Sequence, residues 1–196
     1  MVTIINLGSK KTEQISEVLT AKKIANKVVS ENEFRLAEIQ KSSALILSGS
    51  PVLLSEIPGD EYAHYMIKYD FVKSLTIPVL GICFGHQLIG ILHGARIGKC
   101  TPDRDWQTIK QVNQHQLFSD FDDEYKMKQD HQECVTLPPH FIHLGTSVIC
   151  ENEAMAHPVK KMISVQFHPE SLATEHGHAM LANFMRIAGM PVRERA

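Results

Sequence analysis

Short runs of branched apolar residues alternate with amphipathic stretches along most of the chain. Val2 to Leu7 reads as a first strand. After Gly8-Ser9, the segment Thr12 to Ala25 carries Ile15, Val18, Leu19 and Ile24 on a helical stripe. Lys27-Val28-Val29 predicts a short second strand, and Phe34 to Lys41 a polar helix. Ala44-Leu45-Ile46-Leu47 is continuously apolar, the pattern of a strand buried on both faces of a parallel sheet, and it stops at Ser48-Gly49-Ser50-Pro51. Beyond Pro58-Gly59, Glu61 to Ser74 predicts a helix, Ile77 to Ile82 a strand, and Phe84 to His93 a helix ended by Gly94.

This β-α-β-α-β-α opening implies right-handed crossovers and a mostly parallel, open α/β sheet with helices on both faces. The middle of the chain differs. Gln107 to Val112, Tyr125 to Gln129 and Phe141 to Cys150 read as strands with little helix between them, which predicts an antiparallel extension. Ile163 to His168 is a last strand and Glu175 to Ala188 a closing helix, with Met180, Leu181, Phe184 and Ile187 on one face. No linker, repeat or low-complexity stretch divides the chain, so residues 1–196 are expected to form one domain.

Composition narrows the function classes. Of 196 residues 43% are hydrophobic, enough for a core, and 20 Lys+Arg against 22 Asp+Glu leave a net charge of −2. Such a balance argues against a nucleic-acid binder, which needs a basic face. No run approaches the roughly 18 apolar residues of a membrane span, and the N-terminus lacks the plan of a signal peptide, so a cytoplasmic protein is expected. Cys83, Cys100, Cys134 and Cys150 form no C-x-x-C pair, and His140-x-x-His143 and His176-Gly177-His178 lack a second ligand pair at zinc spacing. Surface histidines account for these, and no metal is predicted.

Gly81-Ile82-Cys83-Phe84-Gly85-His86-Gln87 places a cysteine between strand and helix, with a glycine two residues to either side. A nucleophile on such a turn is sterically crowded, and the glycines relieve the crowding. The helix N-terminus behind it favours the reactive thiolate. A small buried thiol at a strand end would fit the same frame. Further on, Gln166-Phe167-His168-Pro169-Glu170 ends a strand with a histidine and a carboxylate two positions apart. Pro169 biases His168 to an extended conformation, in which side chains two apart share a face. Glu170 can then hold one ring nitrogen of His168 while the other meets a thiol, the arrangement of a catalytic triad.

Gly81 to Gln87 together with Val165 to Glu170, in this order, resembles the class I glutamine amidotransferase family over nearly the whole chain. The resemblance implies a flavodoxin-like open sheet. It also implies Cys83 as nucleophile, His168 as general base and acid and Glu170 as its orienter, with L-glutamine as substrate and no cofactor. Hydrolysis of a carboxamide needs an oxyanion hole. The Phe84 amide would supply one donor and the loop of Gly49 and Ser50 the other. Relatives usually carry two glycines before the proline; Ser50 fills the second position, so low activity without a partner is expected if that backbone must take a glycine-only conformation. Gln87 matches a substrate-holding position, or else is a helix-surface amide. Asp130-His131-Gln132 resembles a turn that contacts the substrate's α-amino and carboxylate groups, with Glu133 where relatives often have aspartate.

The chain has no Walker A loop and no G-x-G-x-x-G fingerprint, so an ATP-dependent synthetase subunit receiving the ammonia would be a separate polypeptide. Gly81 to Gly94 and Asp130 to Pro138 look most like the separate glutaminase subunits of GMP synthetase, although Asn6 to Lys10 lacks the Gly-Gly-Gln-Tyr common there. The tail Glu170 to His178 resembles instead the glutaminase component of anthranilate or aminodeoxychorismate synthase. A stand-alone γ-glutamyl hydrolase and a non-catalytic assembly module are the remaining readings.

Overall fold

The computed structural model describes residues 1–171 and 175–192. Among these, nine strands form one mixed sheet in the order β2-β1-β3-β4-β11-β10-β9-β6-β7. β1 (Val2–Asn6), β2 (Asn26–Ser30), β3 (Ala44–Leu47), β4 (Val79–Ile82) and β11 (Met162–Val165) pair in parallel. β10 (Ala154–Ala156), β9 (Ile142–Thr146), β6 (Trp106–Gln111) and β7 (Glu124–Lys128) continue it antiparallel, an extension the sequence pattern predicted except for β10.

Alternation along the central strands sorts side chains into two cores. Ala44 and Ile46 of β3 join one with Ile15, Leu19, Leu181 and Phe184, contributed by α1 (Thr12–Ala21) and α5 (Glu175–Ile187). Leu45 and Leu47 join the other with Tyr69, Leu88 and Ile89, from α3 (Gly59–Tyr69) and α4 (Phe84–Leu92). All four β3 side chains are fully buried, each contributing on the order of 1.5–3 kcal/mol for the larger ones, so β3 holds both layers together. α2 is a single turn, Leu36–Ile39.

Several expectations change. The helix expected over Glu61 to Ser74 divides into α3 and a 3₁₀ segment, Asp70–Ser74, which delivers Val72 to the core. Ile163 to His168 is strand only as far as Val165; Gln166 and His168 lie past its end, the latter anchored by its amide to the Lys128 carbonyl at 2.9 Å. The Asp130-His131-Gln132 turn is the entry to a strand, β8 (His131–Val135), paired antiparallel with β5 (Ile97–Asp103) in a separate two-stranded ribbon. The tail compared with anthranilate-type components includes Leu172-Ala173-Thr174, which lie outside the described residues.

Candidate active site

Cys83 sits between β4 and α4 with φ 51° and ψ −105°, a conformation that side chains rarely adopt. Two close approaches make this turn possible. A Cβ on Gly81 would lie 2.6 Å from the Gly85 carbonyl oxygen, and one on Gly85 would lie 2.4 Å from the Leu47 carbonyl oxygen. Hydrogen bonds hold the strained turn: the Cys83 amide donates to Val165 O at 2.8 Å and the Gly85 amide to Ser48 O at 3.1 Å. The spacing of glycines in the sequence therefore reflects close helix-to-strand contact.

His168 faces Cys83 from the end of β11. Its Nδ1 lies 2.7 Å from Glu170 Oε1, both residues are buried, and Nε2 has no hydrogen-bond partner. Burial opposes a charge on this ring, yet the carboxylate of Glu170 and the Cys83 sulfur outweigh it and push the His168 pKa up to about 10. Gly49 packs between the two: a Cβ there would come 3.3 Å from His168 Cε1 and 3.6 Å from Cys83 Cβ.

Cys83, His168, Ser50, Gln87, Asp130, His131 and Gln132 line one cavity of about 370 Å³. Phe84 sends its ring away from it, edge-on to Tyr65 at 5.7 Å between centroids, while its amide belongs to the first turn of α4, where helical amides lack an internal acceptor. Ser50 has no left-handed φ, and its Oγ accepts from the Val52 amide at 3.2 Å. Gln87 is a buried side chain, not a helix-surface amide: Nε2 donates to Glu133 O at 3.0 Å and to Gln166 Oε1 at 3.2 Å.

Asp130 is half-exposed at the mouth, paired with Lys11 at 2.8 Å. Partial burial raises its pKa, but Lys11 more than compensates and holds it below the ordinary carboxylate value. Gln132 accepts from Arg104 at 3.5 Å, which brings a second cation to the same rim. Glu133 also lines the cavity and is buried, its carboxylate accepting from the amides of Leu54 and Ser55 at 2.9 and 3.0 Å.

Sequence reasoning missed Lys11 and Arg104, which come from remote segments, and Gln166, whose Nε2 donates to Cys83 Sγ at 3.6 Å. Gln166 had a signal: Gln166, His168 and Glu170 recur at spacing two, one face of an extended segment. The cysteines also converge in space more than their spacing suggested, with Cys100 and Cys134 both meeting His131.

A thiol on a strained strand-to-helix turn, a carboxylate-oriented histidine and a polar cavity at the carboxyl ends of parallel strands define a cysteine-nucleophile acyl-transfer enzyme on an open α/β sheet. The Glutamine amidotransferase class-I family profile matches residues 3–188, and the chain belongs to that family. The chain is 34% identical over 194 residues to a glutamine-hydrolyzing GMP synthase subunit of Methanococcus aeolicus, covering 97% of this chain and 98% of that one. Its identity to the protein of the same name from Methanocaldococcus jannaschii is 32%, with 96% and 98% covered. Among solved structures, a protein from Thermoplasma acidophilum described as a GMP synthase subunit superposes with TM-score 0.86 at 23% identity, covering 96% of this chain and 93% of that one. A Thermotoga maritima glutamine amidotransferase gives 0.73 at 20%, covering 96% and 81%. These two likenesses establish the fold.

Proposed function

We propose that residues 1–196 are one glutaminase domain that serves as the ammonia-producing component of a two-subunit GMP synthase. The observation that carries the chemistry is the convergence of Cys83 and the unpartnered Nε2 of His168 on one cavity. The likeness to two glutamine-hydrolyzing GMP synthase subunits over nearly their whole length supports the pathway.

In this reading the ammonium group of L-glutamine pairs with Asp130, and its α-carboxylate meets Lys11 and Arg104 at the rim. The Cys83 sulfur attacks the side-chain carboxamide carbon with its proton already held on His168 Nε2. The Phe84 amide and the amide of the Gly49-Ser50 loop stabilise the oxyanion. His168 returns the proton to the departing nitrogen, ammonia leaves, and a γ-glutamyl thioester remains. Water deprotonated by His168 then cleaves the thioester, releasing glutamate and restoring the thiol. Glu170 fixes the ring and stabilises its charge throughout, and Gln87 and Gln166 hold the cavity floor. Ammonia is passed to a separate ATP-dependent synthetase subunit. A free-thiol nucleophile suits the reducing cytoplasm, with no nucleic acid or membrane taking part.

The test is glutamine hydrolysis and GMP formation by the wild type and Cys83→Ala, each with and without the ATP-dependent partner. Cys83→Ala should lose on the order of 10³-fold or more of glutaminase activity, yet the complex should still make GMP when ammonia is supplied. Glutamine turnover surviving in Cys83→Ala would remove the nucleophile. Activation by a different synthetase, with no GMP formed, would remove the pathway and leave the chemistry.

A further inference from the structure

We propose that Cys100, His131 and Cys134 form a binding site for a thiophilic divalent cation of the zinc class, built into the β5–β8 ribbon beside the glutamine cavity. Cys100 Sγ lies 3.6 Å and Cys134 Sγ 3.9 Å from His131 Nδ1, and the three ligand atoms lie within 4.8 Å of one another. Tetrahedral Zn²⁺, with Zn–S near 2.3 Å and Zn–N near 2.0–2.1 Å, requires S···N edges of about 3.6 Å and S···S edges of about 3.8 Å. The apices are thus already close to their places around a common centre, and two soft sulfurs with an imidazole select zinc-like ions over magnesium or calcium.

Two buried polar atoms on the ribbon beside the cluster are left without partners. His131 is 6% exposed, yet its Nε2 has no hydrogen-bond partner, while Nδ1 faces the Glu133 carbonyl at 3.1 Å. Asp103 is its register partner across the ribbon, is 2% exposed, and has an Oδ2 that is likewise unpartnered. Turning Nδ1 to a metal moves the ring proton to Nε2, which has no hydrogen-bond partner to compete for it. The ring proton only changes nitrogen, and the two thiols release one proton each when they ligate.

The β5–β8 register shifts between Lys99 and Asp103, and Cys100 sits in that irregular stretch. A metal there would clamp the two strands where their own ladder is interrupted. Asp130, His131 and Gln132 lead into β8 and line the glutamine cavity, so the same ion would fix one wall of it.

The experiment uses full-length protein without an affinity tag, stripped by chelator under a thiol-free reductant and titrated with Co²⁺, then Zn²⁺. The expected result is one equivalent of Co²⁺ with tetrahedral visible bands and thiolate-to-cobalt charge-transfer absorption, displaced by Zn²⁺ and unchanged in Cys83→Ala. Cys100→Ser, Cys134→Ser and His131→Gln should each bind at least tenfold more weakly, while Cys100→Ser keeps the wild-type melting temperature in the metal-free state. An absent thiolate band, or a site lost in Cys83→Ala and retained in Cys100→Ser, would overturn the proposal. None of these readouts depends on glutamine turnover.

Discussion

His168 shows how much of the site rests on a few atoms. A single 2.7 Å contact to Glu170 sets its orientation, and the same contact ties protonation to stability. The folded pKa stands at about 10 against an ordinary 6.5, so the charged ring stabilises the native state fully below pH 6.5, and this contribution is lost as pH rises through about 10. Denaturant unfolding followed from pH 6 to 10 should therefore show a declining stability that Glu170→Gln flattens; equal slopes in the two proteins would contradict the assignment. Gly49 is as sensitive in another way. The 3.3 Å approach to His168 Cε1 means that Gly49→Ala should displace the ring while leaving the strands paired. Steady-state kinetics should register a fall in kcat of roughly tenfold or more with a nearly unchanged melting temperature.

At the scale of elements, the seating of α4 on β3 and β4 is the contact that makes the elbow. Gly85 lets the first turn of α4 approach the end of β3 until an added Cβ would overlap the Leu47 carbonyl at 2.4 Å. Since both partners are backbone, neither can yield cheaply. Gly85→Ala should cost about 3 kcal/mol or more, measured as a lowered denaturant midpoint, and should abolish activity along with it. The ribbon of β5 and β8 is the opposite case, a small sheet of its own that supplies one cavity wall. β5 went unread because Ile-Gly-Lys-Cys-Thr-Pro-Asp has mostly exposed side chains and a proline, and β8 because the buried positions of its alternation include the polar His131 and Glu133. β10 was missed for a different reason: three residues are too few to carry a period.

For the whole molecule, the question is how glutaminase activity is coupled to a partner. Ser50 holds its loop in an ordinary conformation, with its hydroxyl on the Val52 amide, at the rim of the cavity and next to the exposed Val52 side chain. If, as proposed, a synthetase docks at this rim and reorients the Gly49-Ser50 peptide, a glycine at position 50 would lower the conformational barrier. Ser50→Gly should raise partner-free glutamine turnover and shrink the stimulation by the partner, with both rates measured in one assay. A chain that turns over fully on its own would show that no such reorientation is needed.

The central parallel strands, the cysteine elbow and the His168–Glu170 pair were legible in the amino-acid order because each is a local code. Period-two burial, glycines around a crowded turn, and side chains two apart on an extended segment are all properties of a few consecutive residues. The linear order did not carry the approach of Lys11 and Arg104 to Asp130, the turning of Glu133 onto the Leu54 amide, or the meeting of Cys100 with His131 and Cys134. Each of these joins segments that are neighbours only after the chain has folded, where packing rather than spacing sets the distances.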